Sequence, residues 1–534
     1  MSNFVKVAAF FTCLPSLLLP QTLRWSEPTP LREAPGYLNG YLASSPNGSA
    51  IVIWPESNSA LSSGGNYFAK ILRPGSGWSQ ATLVSDGSGY LQEPVAVVIA
   101  NDGMAIASWR QVRDEPVGES QIVVRKLVPG AGWGPMEVLS TDGIYPSLGL
   151  APDGRAHIVY QENQSTVART LGPGDETWSP PVILGEAQSR PTKIVAGRDL
   201  AYVALTFSED LASSDYQTGV SLASYTADGW HAATRISDAG TNVGVPQVVA
   251  NNGHVVLSWF TSDSGLERHW VQRLTDSSER FPVPTVAHSF TPGYPGFGSG
   301  YACPIALGPD GTVLATCPAR GEAVPNCQDA SRSGLVPAFY YYLEMFRRPV
   351  AGDWSSVEII SDLKKRVVGS PQVLANSFGD TLALWDSEMP CQSRGIAEGI
   401  RTPVTRLWRS SEAAWEPEAG WGTASSYLLG LTVDTRGSFR ALGTNTDIDY
   451  NRNPASVVST LLTAELVTHS LPTGDLNGDG LIDCMDLSMV RAALDSKVGD
   501  PGYSAQADAN QDGVVDVRDL AVVAQQLPSG ALCQ

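Results

Sequence analysis

Two short stretches near the C-terminus carry the side chains best placed for chemistry. The first reads Asp475-Leu-Asn477-Gly-Asp479-Gly480-Leu481-Ile-Asp483-Cys-Met-Asp486. The second, thirty-three residues later, reads Asp508-Ala-Asn510-Gln-Asp512-Gly513-Val514-Val-Asp516-Val-Arg-Asp519. Both place oxygen donors at loop positions 1, 3, 5, 9 and 12, with glycine at position 6 for a sharp turn. This spacing wraps a loop around one hard cation, and position 7 (Leu481, Val514) adds its backbone carbonyl. Calcium accepts this many flexible oxygen ligands, whereas the smaller, strictly octahedral magnesium does not. The expectation is two calcium ions, one per loop. An amphipathic run follows each loop, Leu487–Leu494 and Leu520–Leu527, and reads as a short helix.

The usual EF-hand has Glu at position 12, where both copies here have Asp, and no good helix-forming stretch precedes the first loop. With the duplication, these features resemble the type I dockerin module of secreted, cellulosome-type proteins, over about residues 473–530. The resemblance implies a fold around two calcium ions that docks onto a cohesin-like domain and tethers its cargo to a scaffold or cell surface. It also implies partner contacts at positions 10, 11, 17 and 18 of each repeat. Those are Cys484, Met485, Arg491 and Ala492 in the first, and Val517, Arg518, Ala524 and Gln525 in the second. The two sets differ in chemistry, so the two faces are not equivalent.

At 534 residues with a net charge of −19, the chain suits one large repeat domain plus a small appendage. From Leu471 onward it has ten acids against three bases, a balance that bound calcium would offset. An acidic chain without a basic stripe is a poor nucleic-acid binder. Residues 1–20 contain Lys6 and an apolar run from Val7 to Leu19, which reads as a secretory signal peptide. No later segment is long and apolar enough for a membrane helix. The expected division is a signal peptide at 1–20, a β-propeller at 21–468, a linker at 469–474 and the dockerin at 475–534. The expected location is secreted or attached at the cell surface.

Between the leader and the calcium loops, one unit recurs. An apolar strand turns at Asn-Gly or Asp-Gly and returns in a second strand that often ends in an aromatic. Val97-Val-Ile-Ala-Asn-Asp-Gly103-Met-Ala-Ile-Ala-Ser-Trp109 is one example. Such pairs between alternating apolar runs signal tight hairpins, because Asn, Asp and Gly accept positive φ. The second strands end near Trp54, Trp109, Tyr160, Leu205, Trp259, Cys317, Trp385 and Leu442, at intervals fitting a four-stranded propeller blade. A third strand and an outer signature follow: Gly-Trp78-Ser-Gln, Gly-Trp133-Gly-Pro, Thr-Trp178-Ser-Pro, Gly-Trp230-His-Ala, Arg-Phe281-Pro-Val, Asp-Trp354-Ser-Ser and Ala-Trp415-Glu-Pro.

The eighth hairpin lacks an outer tryptophan, but Arg24-Trp25-Ser-Glu-Pro28 stands before the first. A three-plus-one closure, with the N-terminal segment completing the last blade, accounts for every element. The fold expected is a mainly β chain, an eight-bladed propeller (seven being the alternative) followed by a small helical dockerin. Residues 22–468 resemble, in architecture alone, the sialidase-like Trp-bearing propellers of secreted bacterial proteins. The Ser-x-Asp-x-Gly-x-Thr-Trp boxes of true sialidases are missing.

The long connections between second and third strands gather on one rim, the side where binding residues usually sit. Charged residues follow the second strands: Glu56, Arg110, Glu162, Glu209, Arg320, Asp386, Glu388 and Asp447. Two carboxylates across a cleft could cleave a glycosidic bond, although charge at a strand end is also what water demands. Nothing selects a pair, so the catalytic residues stay unassigned. The six histidines show no metal-ligand spacing. Of the six cysteines beyond the leader, Cys303 and Cys317 face each other across a hairpin, and Cys327 and Cys391 lie on one rim. We pair each couple, although four cysteines allow three pairings. The antiparallel repeats that the dockerin resemblance implies would bring Cys533 back to Cys484.

The functional expectation is an exported, calcium-binding dockerin protein whose propeller binds or helps degrade extracellular polysaccharide. The alternatives are a glycoside hydrolase or polysaccharide lyase with carboxylates on the loop-rich rim, and a protein-binding adhesion or scaffold component.

Overall fold

The computed structural model describes residues 25–468 and 474–533. Within these it leaves out residues 37, 58–64, 75, 87–89, 113–119, 186–188, 198–199, 210–216, 239–241, 264–265, 276–279, 284–302, 329–336, 364, 389–400, 422–425, 435 and 450–455. In the C-terminal part it leaves out 475, 477–481, 498–501, 503, 505–506, 511–512 and 528–532.

Eight antiparallel sheets of four or five strands follow one another along the chain and form the blades of a propeller. Blade 3 shows the unit: Gly143–Leu150, Ala156–Glu162, Ser165–Leu171 and Val182–Gly185, paired in that order from the channel outward. Second strands are covered on both faces and therefore read as continuous apolar runs. In blade 2 every residue from Ala105 to Trp109 is buried. Each interface between consecutive blades has its own core. Ile51, Ile53 and Tyr67 of blade 1 meet Val95 and Trp109 of blade 2, and the same arrangement recurs around the ring.

The first hairpin of most blades is one residue longer than the Asx-Gly pair suggests. In blade 2, Ala100 N–H donates to the Met104 carbonyl (2.8 Å) and Gly103 N–H to the Ala100 carbonyl (3.0 Å), with Gly103 at φ 84°. The loop is therefore three residues, a turn followed by a left-handed glycine. The same pattern surrounds Gly48, Gly154, Gly311, Gly379 and Gly437. Blade 5 has the two-residue form, with Asn252 at φ 46° and Gly253 at φ 81°.

The ring closes by three plus one. Blade 8 takes its outer strand, Thr29–Pro35, from the N-terminal side, and this strand pairs antiparallel with Ser456–Leu466. Leu31, Leu38, Val52, Trp54, Leu442 and Leu461 form the core across the seam. Just ahead of the closing strand, Trp25 packs edge-on against Trp421 (6.4 Å) and donates its indole N–H to Thr405 Oγ1 of blade 7 (3.0 Å).

That contact repeats one made elsewhere in the ring. Trp133, Trp230, Trp354 and Trp415 each donate an indole N–H to the preceding blade, at Thr82 Oγ1, Thr170 Oγ1, the Pro282 carbonyl and Glu358 Oε2. The outer tryptophans thus fill the gap between blades and also satisfy their polar edge there. The serine after the tryptophan ties the outer segment to its own third strand. Ser79 N–H donates to the Ile71 carbonyl (2.8 Å) while its hydroxyl accepts Ile71 N–H (3.0 Å). Ser26, Ser179 and Ser355 do the same with Glu465, Thr170 and Arg347.

The C-terminal part has two helices, Cys484–Ala492 and Val517–Ala524, and a short antiparallel ladder of Ser496–Lys497 with Val514–Val515. Leu487, Val490, Ala493, Ala507, Ala509, Val515 and Val523 form its small core.

Candidate functional site

In the C-terminal part, each loop ends where a helix begins, and the same carboxylates serve both. Asp483 caps the first helix by accepting Met485 N–H (2.7 Å), and Asp486 Oδ2 accepts Asp483 N–H (2.9 Å). The second loop repeats this capping box with Asp516, Arg518 N–H and Asp519. The position-12 carboxylates then reach back across the loop: Asp486 Oδ1 accepts Leu476 N–H (2.7 Å), and Asp519 Oδ1 accepts Asn510 N–H (3.0 Å). A position-12 Asp so placed braces the loop entry, the loop exit and the helix start together. In the second loop, Asp508 Oδ2 also accepts Gly513 N–H (2.7 Å), linking position 1 to the turn glycine.

Asp486, Asp508 and Asp519 are 0, 4 and 0% exposed. Burying carboxylates is costly unless hydrogen bonds and a cation offset the lost hydration. An all-oxygen donor set of this kind fits a hard divalent cation. Of the remaining expected ligands, Asp483, Asn510, Val514 and Asp516 are described, whereas Asp475, Asn477, Asp479, Leu481 and Asp512 lie outside the described residues.

The two loops differ at position 11. Arg518 donates to both carboxylate oxygens of Asp516, at 3.0–3.2 Å through Nε and at 2.7 Å through Nη2. This hydrogen bonding holds the Asp516 carboxyl below the usual Asp range. Loop 1 has Met485 in that place, 62% exposed, and Val517 at position 10 of loop 2 is 70% exposed. Arg491 sits in the last turn of the first helix with Ala492 beside it, and Ala524 and Gln525 close the second. Cys484 and Cys533 are joined by a disulfide with a Cα–Cα distance of 5.1 Å. In blade 6, Cys303 and Cys317 are likewise bonded, at a Cα–Cα distance of 4.8 Å. Cys391 and the side chain of Cys327 lie outside the described residues.

On the propeller rim, several charged side chains are engaged structurally. Glu56 accepts the Trp54 indole N–H (2.8 Å) and pairs with Arg32 (2.8 Å). Arg110 Nε donates to Ser120 Oγ (2.6 Å), and Glu162 accepts the Ser140 hydroxyl. Asp447 is exposed, whereas the side chains of Glu209, Arg320 and Glu388 lie outside the described residues. No pair of these carboxylates is brought together across a cleft among the described residues.

The propeller channel was not read from sequence as a site. It holds a cavity of about 760 Å³ lined by the inner strands of blades 3 to 8. Pro146, Pro191, Pro246, Pro304 and Pro371 line it, one per blade. The inner strand has a free edge on the channel, so a proline there removes no ladder hydrogen bond. In blades 3, 4 and 7 the register shifts at this proline, which re-aims the neighbouring side chains. The repeated proline early in the inner strands was the available sequence signal.

Among solved structures, the chain is similar to one titled "Structure of Dos1 propeller", with 8% identity and a TM-score of 0.44 over 81% of this chain and 95% of that one. It is also similar to a subtype N11 neuraminidase-like protein of A/flat-faced bat/Peru (9% identity, TM-score 0.33, 82% of this chain and 99% of that one). A third is a PL25 ulvan lyase (10% identity, TM-score 0.38, 66% of this chain and 92% of that one). No curated protein matches the chain. Among the described residues, no helix is long and apolar enough to cross a membrane. The model of the dockerin type I domain matches residues 473–528, the stretch that carries both capped loops and both helices. Residues 473–528 of this chain are a dockerin type I domain.

Proposed function

We propose that this is an exported protein whose dockerin folds around two calcium ions, docks onto a cohesin-like domain, and so holds the propeller at extracellular polysaccharide. The observation that carries this reading is the C-terminal dockerin type I domain itself. The proposed division is a signal peptide at 1–20, the propeller at 21–468, a linker at 469–474 and the dockerin at 475–534. The proposed first-loop ligands are Asp475, Asn477, Asp479, the Leu481 carbonyl, Asp483 and Asp486. Those of the second are Asp508, Asn510, Asp512, the Val514 carbonyl, Asp516 and Asp519. Five described members of these sets, Asp483, Asp486, Asp508, Asp516 and Asp519, already brace their loops by hydrogen bonds.

Exposed Met485 and Val517 support docking through the helix starts, since apolar groups in such positions lose water on association. Arg491, Ala492, Arg518, Ala524 and Gln525 complete the proposed contact sets. Polysaccharide as the propeller's ligand follows from the company dockerins keep, a family-level argument. Pull-down of the full chain by a panel of type I cohesins tests the docking. Capture in calcium that is lost in EGTA is expected, and capture indifferent to EGTA would overturn it. Binding without release of reducing ends is the expected behaviour on a polysaccharide array; turnover would make the propeller an enzyme.

A further inference from the structure

Inner-strand parity hides a pair of cations. Arg190 and Lys193 are three residues apart on the inner strand of blade 4, which in a regular strand points them to opposite faces. The strand is not regular. Pro191 pairs with Leu205 and Ile194 with Val203, so three steps on this strand match two on its neighbour. The extra residue brings Arg190 and Lys193 to the same side, and both line the channel cavity.

The Arg190 guanidinium lies 3.6 Å from the centre of the Tyr145 ring, which comes from the matching position of blade 3, immediately before that blade's proline. Stacking fixes the plane of the guanidinium and leaves its N–H edge available. Tyr145 holds φ at 56°, an uncommon conformation for a non-glycine residue. Backbone strain of this sort gathers at ligand sites. Here it sits under the arginine.

Neither cation is neutralised among the described residues. No ion pair forms there with Arg190 or Lys193, and no Asp or Glu is among the described residues lining the cavity. This holds in a chain whose net charge is −19, where the nearest-neighbour odds favour acids. Lys193 is reached by solvent through the channel yet enclosed by its walls, and that crowding lowers its pKa below the ordinary lysine value. The remaining walls are largely apolar, with Val248, Val249 and the prolines. A cavity of about 760 Å³ with a few convergent polar groups on apolar walls has the make-up of a small-ligand site.

We propose that the propeller channel binds a carboxylate-bearing saccharide, with Arg190 forking the carboxylate and Lys193 adding a second positive charge beside it. The proposal rests on the reading of the propeller as a polysaccharide-binding cargo and names the class of sugar it takes. A planar guanidinium held by a ring matches a carboxylate bidentately, and the ammonium acts as a point charge.

Calorimetric titration of the full chain with tetragalacturonate and with the neutral xylotetraose separates the two readings. Tetragalacturonate should bind, more weakly as salt is raised. Lys193→Met and Arg190→Met should each weaken it by about tenfold or more, and Lys193→Arg, which keeps the charge, should retain most of the affinity. Thermal melts of each variant check that the ring still folds. Tetragalacturonate binding unchanged in both Met variants would overturn the channel assignment. Xylotetraose binding without tetragalacturonate binding would overturn the anionic class while leaving the polysaccharide reading in place. Binding of neither, alongside a negative polysaccharide array, would remove both.

Discussion

The propeller and the dockerin are both built by repetition, and each brings the two ends of its repeat array together, but with different chemistry. The propeller joins Thr29–Pro35 to Ser456–Leu466 by a ladder of backbone hydrogen bonds over an apolar seam. The dockerin joins position 10 of its first loop to the penultimate residue of the chain by a covalent bond. The difference follows from size. The propeller distributes its stability over a core at every blade interface, so one more strand pairing suffices to close it. Among the described residues the dockerin core has seven buried apolar side chains, few for a domain of that length without a staple or a metal.

That contrast is broken most directly by removing calcium. Chelation with EGTA should abolish the cooperative unfolding transition of residues 473–528 and leave the propeller's melting temperature in place, because site formation and folding are coupled in small metal domains. Isothermal titration should count two ions per chain, and Asp475→Ala or Asp508→Ala should each remove one. Stoichiometry unchanged in both variants would refute the ligand sets.

The clasp comes next. With calcium held constant, replacing Cys484 and Cys533 together by Ser frees a loop closed over a sequence separation of 49 residues. Chain-entropy estimates give a loss of about 4 kcal/mol, read as a lower urea midpoint for the dockerin transition alone. The counterpart in the propeller is Trp25→Ala, which removes the contact with Trp421 and the bond to Thr405 at the seam. Truncating a packed tryptophan costs about 3 kcal/mol. An unchanged propeller midpoint would show that Trp25 does not help hold the ring.

Acid should separate the regions in another way. His157 is buried between blades 3 and 4, against Tyr225 (4.4 Å) and Trp230 (5.3 Å), with Nδ1 3.0 Å from Thr170 Oγ1. Burial, reinforced by nearby Arg155, lowers its pKa to about 4. His269, whose Nδ1 accepts Cys303 N–H, is lowered to about 4 by burial as well. Between the ordinary histidine value of 6.5 and about 4, the unfolded chain binds protons that the fold refuses. Stability is therefore full above 6.5 and falls as pH drops toward 4, by about 3 kcal/mol for His157. His157→Gln should flatten that slope in propeller melts; a slope equal to the parent's would assign the acid sensitivity elsewhere.

Blade count and ring closure were legible in the sequence because both rest on local chemistry. Asx-Gly turns need residues that accept positive φ, and tryptophan repeats mark where blades meet. The dockerin loops were legible because metal coordination fixes donor spacing residue by residue. The channel was not. Arg190 and Lys193 look like alternate faces of one strand until a single extra residue at Pro191 brings them together. A bulge of that kind leaves the hydrophobic pattern nearly untouched, so periodicity cannot report it. The role of the serine after Trp25, Trp78, Trp178 and Trp354 was also missed. The pair was visible as a motif, but its two hydrogen bonds connect segments whose pairing only the fold establishes.

Those bonds give the finest test of the closure. Ser26 N–H reaches the Glu465 carbonyl at 2.8 Å and its hydroxyl accepts Glu465 N–H at 3.0 Å. Ser79 makes the same two bonds with Ile71, at 2.8 and 3.0 Å, inside blade 1 where no chain end is involved. The backbone bond survives substitution by alanine; the hydroxyl bond does not, and its loss leaves a strand N–H to find water. Net losses of this kind run to about 1 kcal/mol. If the seam is held as firmly as the blades, Ser26→Ala and Ser79→Ala should lower the propeller's midpoint by equal amounts. If the N-terminal segment frays in solution, water already competes for Glu465, and Ser26→Ala should cost nothing measurable while Ser79→Ala keeps its full effect. Equality of the two therefore measures how complete a non-covalent closure is, which removal of the whole strand cannot do.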